Sequence, residues 1–272
     1  MFIDIIKTII LGIIEGVTEW LPISSTGHMI LAEEFLKLDV TDAFFEMFLV
    51  VIQLGAIMAV VVLFFKKIFP FGFNKTKEET NETFDLWKKI IISCVPAAII
   101  GIPFDDTIDR LFYNSWVVAL MLIIYGLWFI KVENTQNGKK IRVKKVSEIS
   151  YRDALIIGLF QVLALIPGTS RSGATIIGAL IIGLDRSTAT SYTFYLAVPV
   201  MFGASLIKLL KFGFLWTLSE VAILIVGMIV AFIVSIISIK FLLKYIKKND
   251  FKVFGYYRII LGLVVILYFL IN

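Results

Sequence analysis

Residues 154–184 read ALIIGLFQVLALIPGTSRSGATIIGALIIGL, an aliphatic run cut in its middle by Pro167-Gly-Thr-Ser-Arg-Ser-Gly173. The residue before a proline is biased away from helix, so the run breaks there. Its arms, 152–166 and 174–184, would be roughly 22 Å and 16 Å long as helices. Neither reaches across a hydrocarbon core about 30 Å thick. A helix–loop–helix hairpin that enters and leaves on one side fits these lengths, because non-helical backbone at membrane depth is tolerated where protein or water shelters it. A second break of the same kind lies in EGVTEWLPISSTGH, residues 15–28, at Pro22-Ile-Ser-Ser-Thr-Gly27.

The rest of the chain sets the context for these breaks. It is 59% hydrophobic and only 17% charged, with 24 Phe, too little polar surface to cover a soluble domain of 272 residues. Six further segments read as spanning helices, at approximately 43–66, 87–104, 115–131, 190–208, 218–240 and 255–271. Asp4, Lys7 and Glu15 interrupt the first apolar segment, so it does not read as a cleavable signal peptide. The charged stretch 74–85 reads as a solvated loop. Cys94 is the single cysteine, which leaves no disulfide within the chain. The net charge of +5 points to loops that lie against an anionic lipid leaflet, and not to nucleic acid.

The two breaks resemble each other. Gly12, Glu15, Pro22, Ser25 and Gly27 recur in order as Gly158, Gln161, Pro167, Ser170 and Gly173, and Gly55-Ala56 recurs as Gly203-Ala204, all 145 to 148 residues apart. The chain therefore reads as one all-α membrane domain built from an internal repeat, residues 1–131 and 150–272. Each copy holds a re-entrant hairpin and three spanning helices. An odd number of crossings inverts the second copy. Loop charge agrees: segments 66–89, 131–153 and 240–253 hold six, seven and five Lys/Arg, whereas 105–114 and 208–217 hold one and two. By the positive-inside rule the first three are cytoplasmic. The first hairpin then enters from outside, the second from the cytoplasm, and their polar tips meet near the midplane.

Those tips carry the candidate chemistry. Glu15 and Glu19 are four apart, on one helix face. Two carboxylates so close in a dry setting call for a divalent cation, a shared proton or a positioned water; the alternative is an interfacial pairing with Lys7 and Lys37. Ser24, Ser25 and Thr26 precede a second arm, either as ordinary caps or as a cradle for an anion at a helix N-terminus. His28, the only histidine, lies three residues after Ser25, placed to act as base toward Ser25 or a water, or as acid toward a leaving oxygen. In the second tip Arg171 sits between Ser170 and Ser172, either as counter-ion of Glu15 or Glu19 or as a clamp on phosphate oxygens. Gln161 keeps a polar group where Glu15 stands in the first copy, which assigns chemistry to the first tip and clamping to the second. Gln53 is a weaker candidate, of the kind that bonds a neighbouring helix.

EGVTEWLPISSTGH and PGTSRSGAT resemble the two signature segments of the bacterial undecaprenyl-diphosphatases, the bacitracin-resistance family. The likeness extends through FFEMFLVVIQLGAI and FYLAVPVMFGAS to nearly the whole chain. It implies a multi-pass protein of the bacterial plasma membrane that hydrolyses undecaprenyl diphosphate to undecaprenyl phosphate, recycling the carrier lipid of the cell wall. It also implies roles for Glu15, Glu19, Ser25, Thr26, His28, Ser170, Arg171 and Ser172, and a divalent cation, Mg²⁺ or Ca²⁺, at Glu15 and Glu19. The expected partners are the lipid diphosphate, the bilayer and, as a candidate assembly, a second copy in a homodimer. Either Ser25 or a water held by the glutamates can attack. A rival reading, a flippase for the prenyl phosphate, follows from the inverted-repeat pattern alone.

Overall fold

A computed structural model of the chain describes residues 1–72, 75–136, 140–213 and 216–271. Its helices are α1 (Phe2–Thr18), α2 (Ser25–Phe35), α3 (Asp42–Leu63), the single turn α4 (Phe65–Ile68), α5 (Lys77–Phe112), α6 (Ser115–Gln136), α7 (Tyr151–Val162), α8 (Arg171–Ile181), α9 (Arg186–Phe212), α10 (Leu218–Tyr245) and α11 (Lys252–Ile271). Among the described residues six of these, α3, α5, α6, α9, α10 and α11, are long and apolar enough to cross a membrane. On α10, Ile225, Ile229, Ile233, Ile237 and Phe241 recur at four-residue spacing and are all exposed. An apolar stripe left uncovered on a helix this hydrophobic is a lipid-facing surface. The chain is a multi-pass membrane protein.

The helix expected at 87–104 is far longer. It starts at Lys77, where Thr76 and Glu79 form a reciprocal capping box, and it carries Pro96 and Pro103 in its interior. The charged stretch 74–85 is thus helical from residue 77, with Asn74 outside the described residues. A capping box satisfies two orphan amides and outweighs the mixed charge of the stretch. The arm expected to begin at 174 begins at Arg171, because the Ser170 side chain accepts from the Gly173 amide and caps the first turn. A short 3₁₀ turn, Leu163–Leu165, carries the chain from α7 toward Pro167.

α1 and α7 do not pack mainly on their neighbours in sequence, whereas α2 stays against α1 and α8 against α7 and α9. α1 lies along α10, α10 along α3, α3 along α9, α7 along α5, and α6 along α11. Small residues set the closest contacts. A Cβ on Gly12 would lie 2.9 Å from the Gly227 carbonyl, and one on Gly16 2.9 Å from that of Ala231. This spacing of small residues lets the two backbones touch, as membrane helices commonly do. Gly158 brings α7 as close to α5, where a Cβ would meet the Ser93 carbonyl at 2.5 Å.

Away from the tips, fully buried Glu133 on α6 ties three elements together. It receives Arg186 from the start of α9, with Nε at 3.0 Å and 3.1 Å and Nη2 at 2.5 Å, and the Phe251 amide at 3.0 Å. Glu133→Ala strands a guanidinium that is one-third exposed and a buried amide, and is expected to cost about 3 kcal/mol, the low end for breaking a buried pair. Thermal unfolding of the purified protein in detergent measures it. An unchanged midpoint would show the clamp to be dispensable.

Candidate functional site

Both breaks use the same local device. Ser24 and Ser170 are the only non-glycine residues with positive φ among the described residues, at 72° and 71°. Each caps the helix that follows, accepting from Gly27 N at 3.4 Å and Gly173 N at 3.1 Å. Left-handed backbone at a serine is strained, and such strain persists where surrounding contacts over-determine it. The device places Ser25 and Arg171 at the first residues of α2 and α8.

Glu19, at the C-terminal end of α1, joins the two breaks. Its Oε2 accepts the Ser25 hydroxyl at 2.9 Å and its Oε1 accepts Arg171 Nη2 at 3.0 Å. Its backbone carbonyl accepts the Ser172 hydroxyl at 3.2 Å, and Ser172 in turn lies 3.1 Å from Ser170 Oγ. Arg171 also donates to the Thr193 carbonyl on α9 at 3.1 Å, and its Nε is buried without a partner. One carboxylate thus holds a hydroxyl from the first break and a guanidinium from the second. Trp20 adds an apolar seam by packing edge-on against Phe194 of α9 at 5.1 Å.

Glu15 is 1% exposed, one turn before Glu19 on α1, and its Oε1 is buried without a hydrogen-bond partner. The pairing of these carboxylates with Lys7 or Lys37 does not form: Lys7 Nζ donates instead to the Lys37 carbonyl at 2.5 Å. Gln161, the counterpart of Glu15, donates to the Ser93 carbonyl on α5 at 3.3 Å and stays with the α5–α7 contact. Thr26 is half-buried and makes no side-chain hydrogen bond among the described residues, and Gln53 is likewise half-buried.

His28 stands apart from Ser25. Its Nδ1 lies 2.7 Å from the Ser24 carbonyl, one helical turn back, and its Nε2 lies 2.7 Å from the Tyr257 hydroxyl on α11. A carbonyl only accepts, so Nδ1 carries a proton; in neutral imidazole Nε2 is then the acceptor and Tyr257 the donor. The structure therefore brings Glu19, Ser25, Ser170, Arg171 and Ser172 into one bonded set, and puts His28 beside it on a separate arm.

The sequence reading missed the neighbour of Tyr257. Arg258 is fully buried on α11 and reaches both breaks, donating to the carbonyls of Pro22 at 3.3 Å, Gly168 at 2.8 Å and Thr169 at 2.9 Å. The Tyr125 ring lies 5.6 Å from its guanidinium carbon. No carboxylate pairs with it among the described residues. An arginine inside a spanning segment was the available signal, since such residues face the bundle interior. Gly168 has φ +88°, and a Cβ there would meet the Val118 backbone at 2.7 Å, so the carbonyls that Arg258 gathers are held by a turn that only glycine fits.

A family model described as bacitracin resistance protein BacA matches residues 8–264. Curated relatives are similar along their whole length. A protein from Acetivibrio thermocellus named undecaprenyl-diphosphatase is 61% identical over 268 residues, 98% of each chain. One from Clostridium acetobutylicum, named undecaprenyl-diphosphatase 1, is 60% identical over 270 residues, 99% of this chain and 98% of its own. An undecaprenyl-diphosphatase of Enterococcus faecalis is 56% identical over 275 residues, all of both chains. With a match of that extent and identities of that size, the chain belongs to the bacitracin resistance protein BacA family.

Proposed function

We propose that the protein hydrolyses undecaprenyl diphosphate to undecaprenyl phosphate and inorganic phosphate at the junction of the two breaks. The observation that carries this reading is the Ser25 hydroxyl donated to a carboxylate that also holds Arg171. A nucleophile, an acceptor for its proton and a cation for the phosphate meet there, at the N-termini of two helices whose partial positive charge favours an anion.

Glu19 takes the Ser25 proton as Oγ attacks the terminal phosphorus. The bond from that phosphorus to the bridging oxygen breaks, and undecaprenyl phosphate leaves with the electron pair. Arg171 transfers its contact from Glu19 to the non-bridging oxygens, where charge accumulates. Water then attacks the phosphoserine, Glu19 returns its proton to the departing Ser25 Oγ, and the protons of the water stay on the inorganic phosphate that is freed. His28 would serve the departing oxygen with a second proton taken up on Nε2, the Tyr257 hydroxyl then turning from donor to acceptor. Ser24, Thr26, Ser170 and Ser172 supply hydroxyls and capped amides around the phosphates. The unpartnered Oε1 of Glu15 and the carboxylate of Glu19 suit a hard cation, which takes one or two carboxylates with the rest from water and phosphate. Bound there, Mg²⁺ or Ca²⁺ would offset diphosphate charge.

The breaks are read as tips of re-entrant hairpins in an inverted repeat. Supporting this, α1 packs on α10 while its counterpart α7 packs on α5, the counterpart of α10, and Gly12 and Gly158 make the equivalent contacts. The lysine-rich loops then put the catalytic opening on the extracytoplasmic side of the plasma membrane.

Purified protein in detergent is expected to release phosphate from undecaprenyl diphosphate with Mg²⁺ or Ca²⁺ and to stop when a chelator is added. Release that survives the chelator keeps the hydrolysis and removes the cation from it. No release from a folded preparation overturns the reading in favour of transport of the prenyl phosphate.

A further inference from the structure

A second charged site lies at the lysine-rich end of the helices, where α4, Lys75 and the first turns of α5, the segment before α7 and the first turns of α9 line an open cavity of about 830 Å³. Six lysines line it against three carboxylates. Two of those carboxylates are already engaged. Asp85 holds Lys89 at 2.6 Å and receives the Tyr151 hydroxyl, and Glu79 accepts the Thr76 amide at 2.9 Å in the capping box. Lys66, Lys67, Lys144 and Lys145 are in no ion pair among the described residues. Glu148 accepts from the backbone amides of the last two, at 2.9 Å and 3.2 Å, and makes no ion pair with their side chains.

The opposite wall is built to donate. Ser187, Ser191 and Tyr195 are spaced four apart on α9, so they share one face and line the cavity together. Tyr195 is 1% exposed, and its hydroxyl is buried with no hydrogen-bond partner. A buried hydroxyl without a partner is costly and points to a ligand or water that completes it. Unpaired ammonium groups facing a row of hydroxyls match a phosphate, whose several oxygens need many donors at once.

A smaller cleft adjoins the cavity through shared Lys66 and Lys67, and its remaining walls are Val62, Leu63, Phe64 and Phe65. Val62 and Phe65 are about half exposed on the outside of the bundle, where acyl chains run.

The geometry points to a phosphate-binding basin at the lysine-rich end of the helices, separate from the Glu19–Arg171 junction, filled by an anionic phospholipid headgroup or by free inorganic phosphate. The apolar cleft at its rim gives the first of these a place for an acyl chain. Lysines grouped beside a membrane helix are each worth about 1 kcal/mol toward an anionic headgroup, so removing several lowers affinity tenfold or more.

The test uses delipidated full-length protein and two probes. Inorganic phosphate is titrated at constant ionic strength against chloride, with the unfolding midpoint as readout. Phosphatidylglycerol and phosphatidylcholine in mixed micelles are compared by native mass spectrometry. Three variants accompany the parent: Lys66→Gln with Lys67→Gln, Lys144→Gln with Lys145→Gln, and Arg171→Ala. Retention of phosphatidylglycerol over phosphatidylcholine, weakened at least tenfold by either lysine pair and kept by Arg171→Ala, establishes a headgroup site. A saturable phosphate shift with the same variant pattern, without lipid selectivity, establishes a free-phosphate site. Binding that ignores both lysine pairs, or that disappears with Arg171→Ala, or no binding of either probe, overturns the proposal.

Discussion

Glu19→Gln is expected to lower phosphate release from undecaprenyl diphosphate by a factor of about 10³ or more, measured at a temperature where the variant, destabilised by the loss of the Arg171 counter-charge, stays folded. The amide keeps the shape and can still accept the Ser25 hydroxyl, but it cannot take the proton as Oγ attacks. It also leaves Arg171 without its counter-charge before substrate arrives. If Ser25 and Glu19 act in one step, the double variant with Ser25→Ala loses no more than the worse single variant, because groups that act as a unit are not additive. Initial rates of phosphate release on purified proteins provide the measurement. A Glu19→Gln rate within tenfold of the parent would remove Glu19 as the base and return the choice to a water nucleophile.

The second large effect is expected at Arg258. Arg258→Leu leaves the carbonyls of Pro22, Gly168 and Thr169 in a buried region without their donor. Each such carbonyl costs about 1–3 kcal/mol, while removing a buried cation that lacks a carboxylate partner returns several kcal/mol of desolvation. The carbonyls outweigh the relief, and a net loss of about 3 kcal/mol is expected in thermal unfolding. Turnover at a temperature where the variant stays folded is expected to fall about 10²-fold, because both breaks lose their common anchor and a shift of 1 Å at reacting atoms costs that much. Arg258→Lys keeps the charge but offers no planar fork, so it should recover stability more than rate. A folded Arg258→Leu protein with parental turnover would make Arg258 a packing residue alone.

The sequence carried the six spans and the two breaks because each has a local cause: apolar length for the first, proline beside hydroxyls and glycine for the second. It also named the residues that Glu19 gathers, since carboxylate, serine and arginine are conspicuous in so apolar a setting. Other features were hidden. Arg258 lies six residues into α11, where an arginine at the edge of a span can equally snorkel to the interface, and only packing tells which way it turns. Glu133 has the same ambiguity at the far end of α6. His28 was read against Ser25 on proximity in sequence, whereas a helix sets residue 28 above residue 24, and its ring meets the Ser24 carbonyl. The length of α5 was obscured by Pro103, which the packed bundle tolerates inside a helix.

The contact between α1 and α10 also bears on the order of events during synthesis. Gly12 and Gly16 close against backbone that emerges from the ribosome about 200 residues later, some 10–40 s at ordinary elongation rates. For most of that interval the first break carries Glu15 and Glu19 without Arg171, the partner that Glu19 has in the finished bundle. α1 and its carboxylates therefore reach their final packing only once α10 has been made, so the first break is completed last although it is synthesised first.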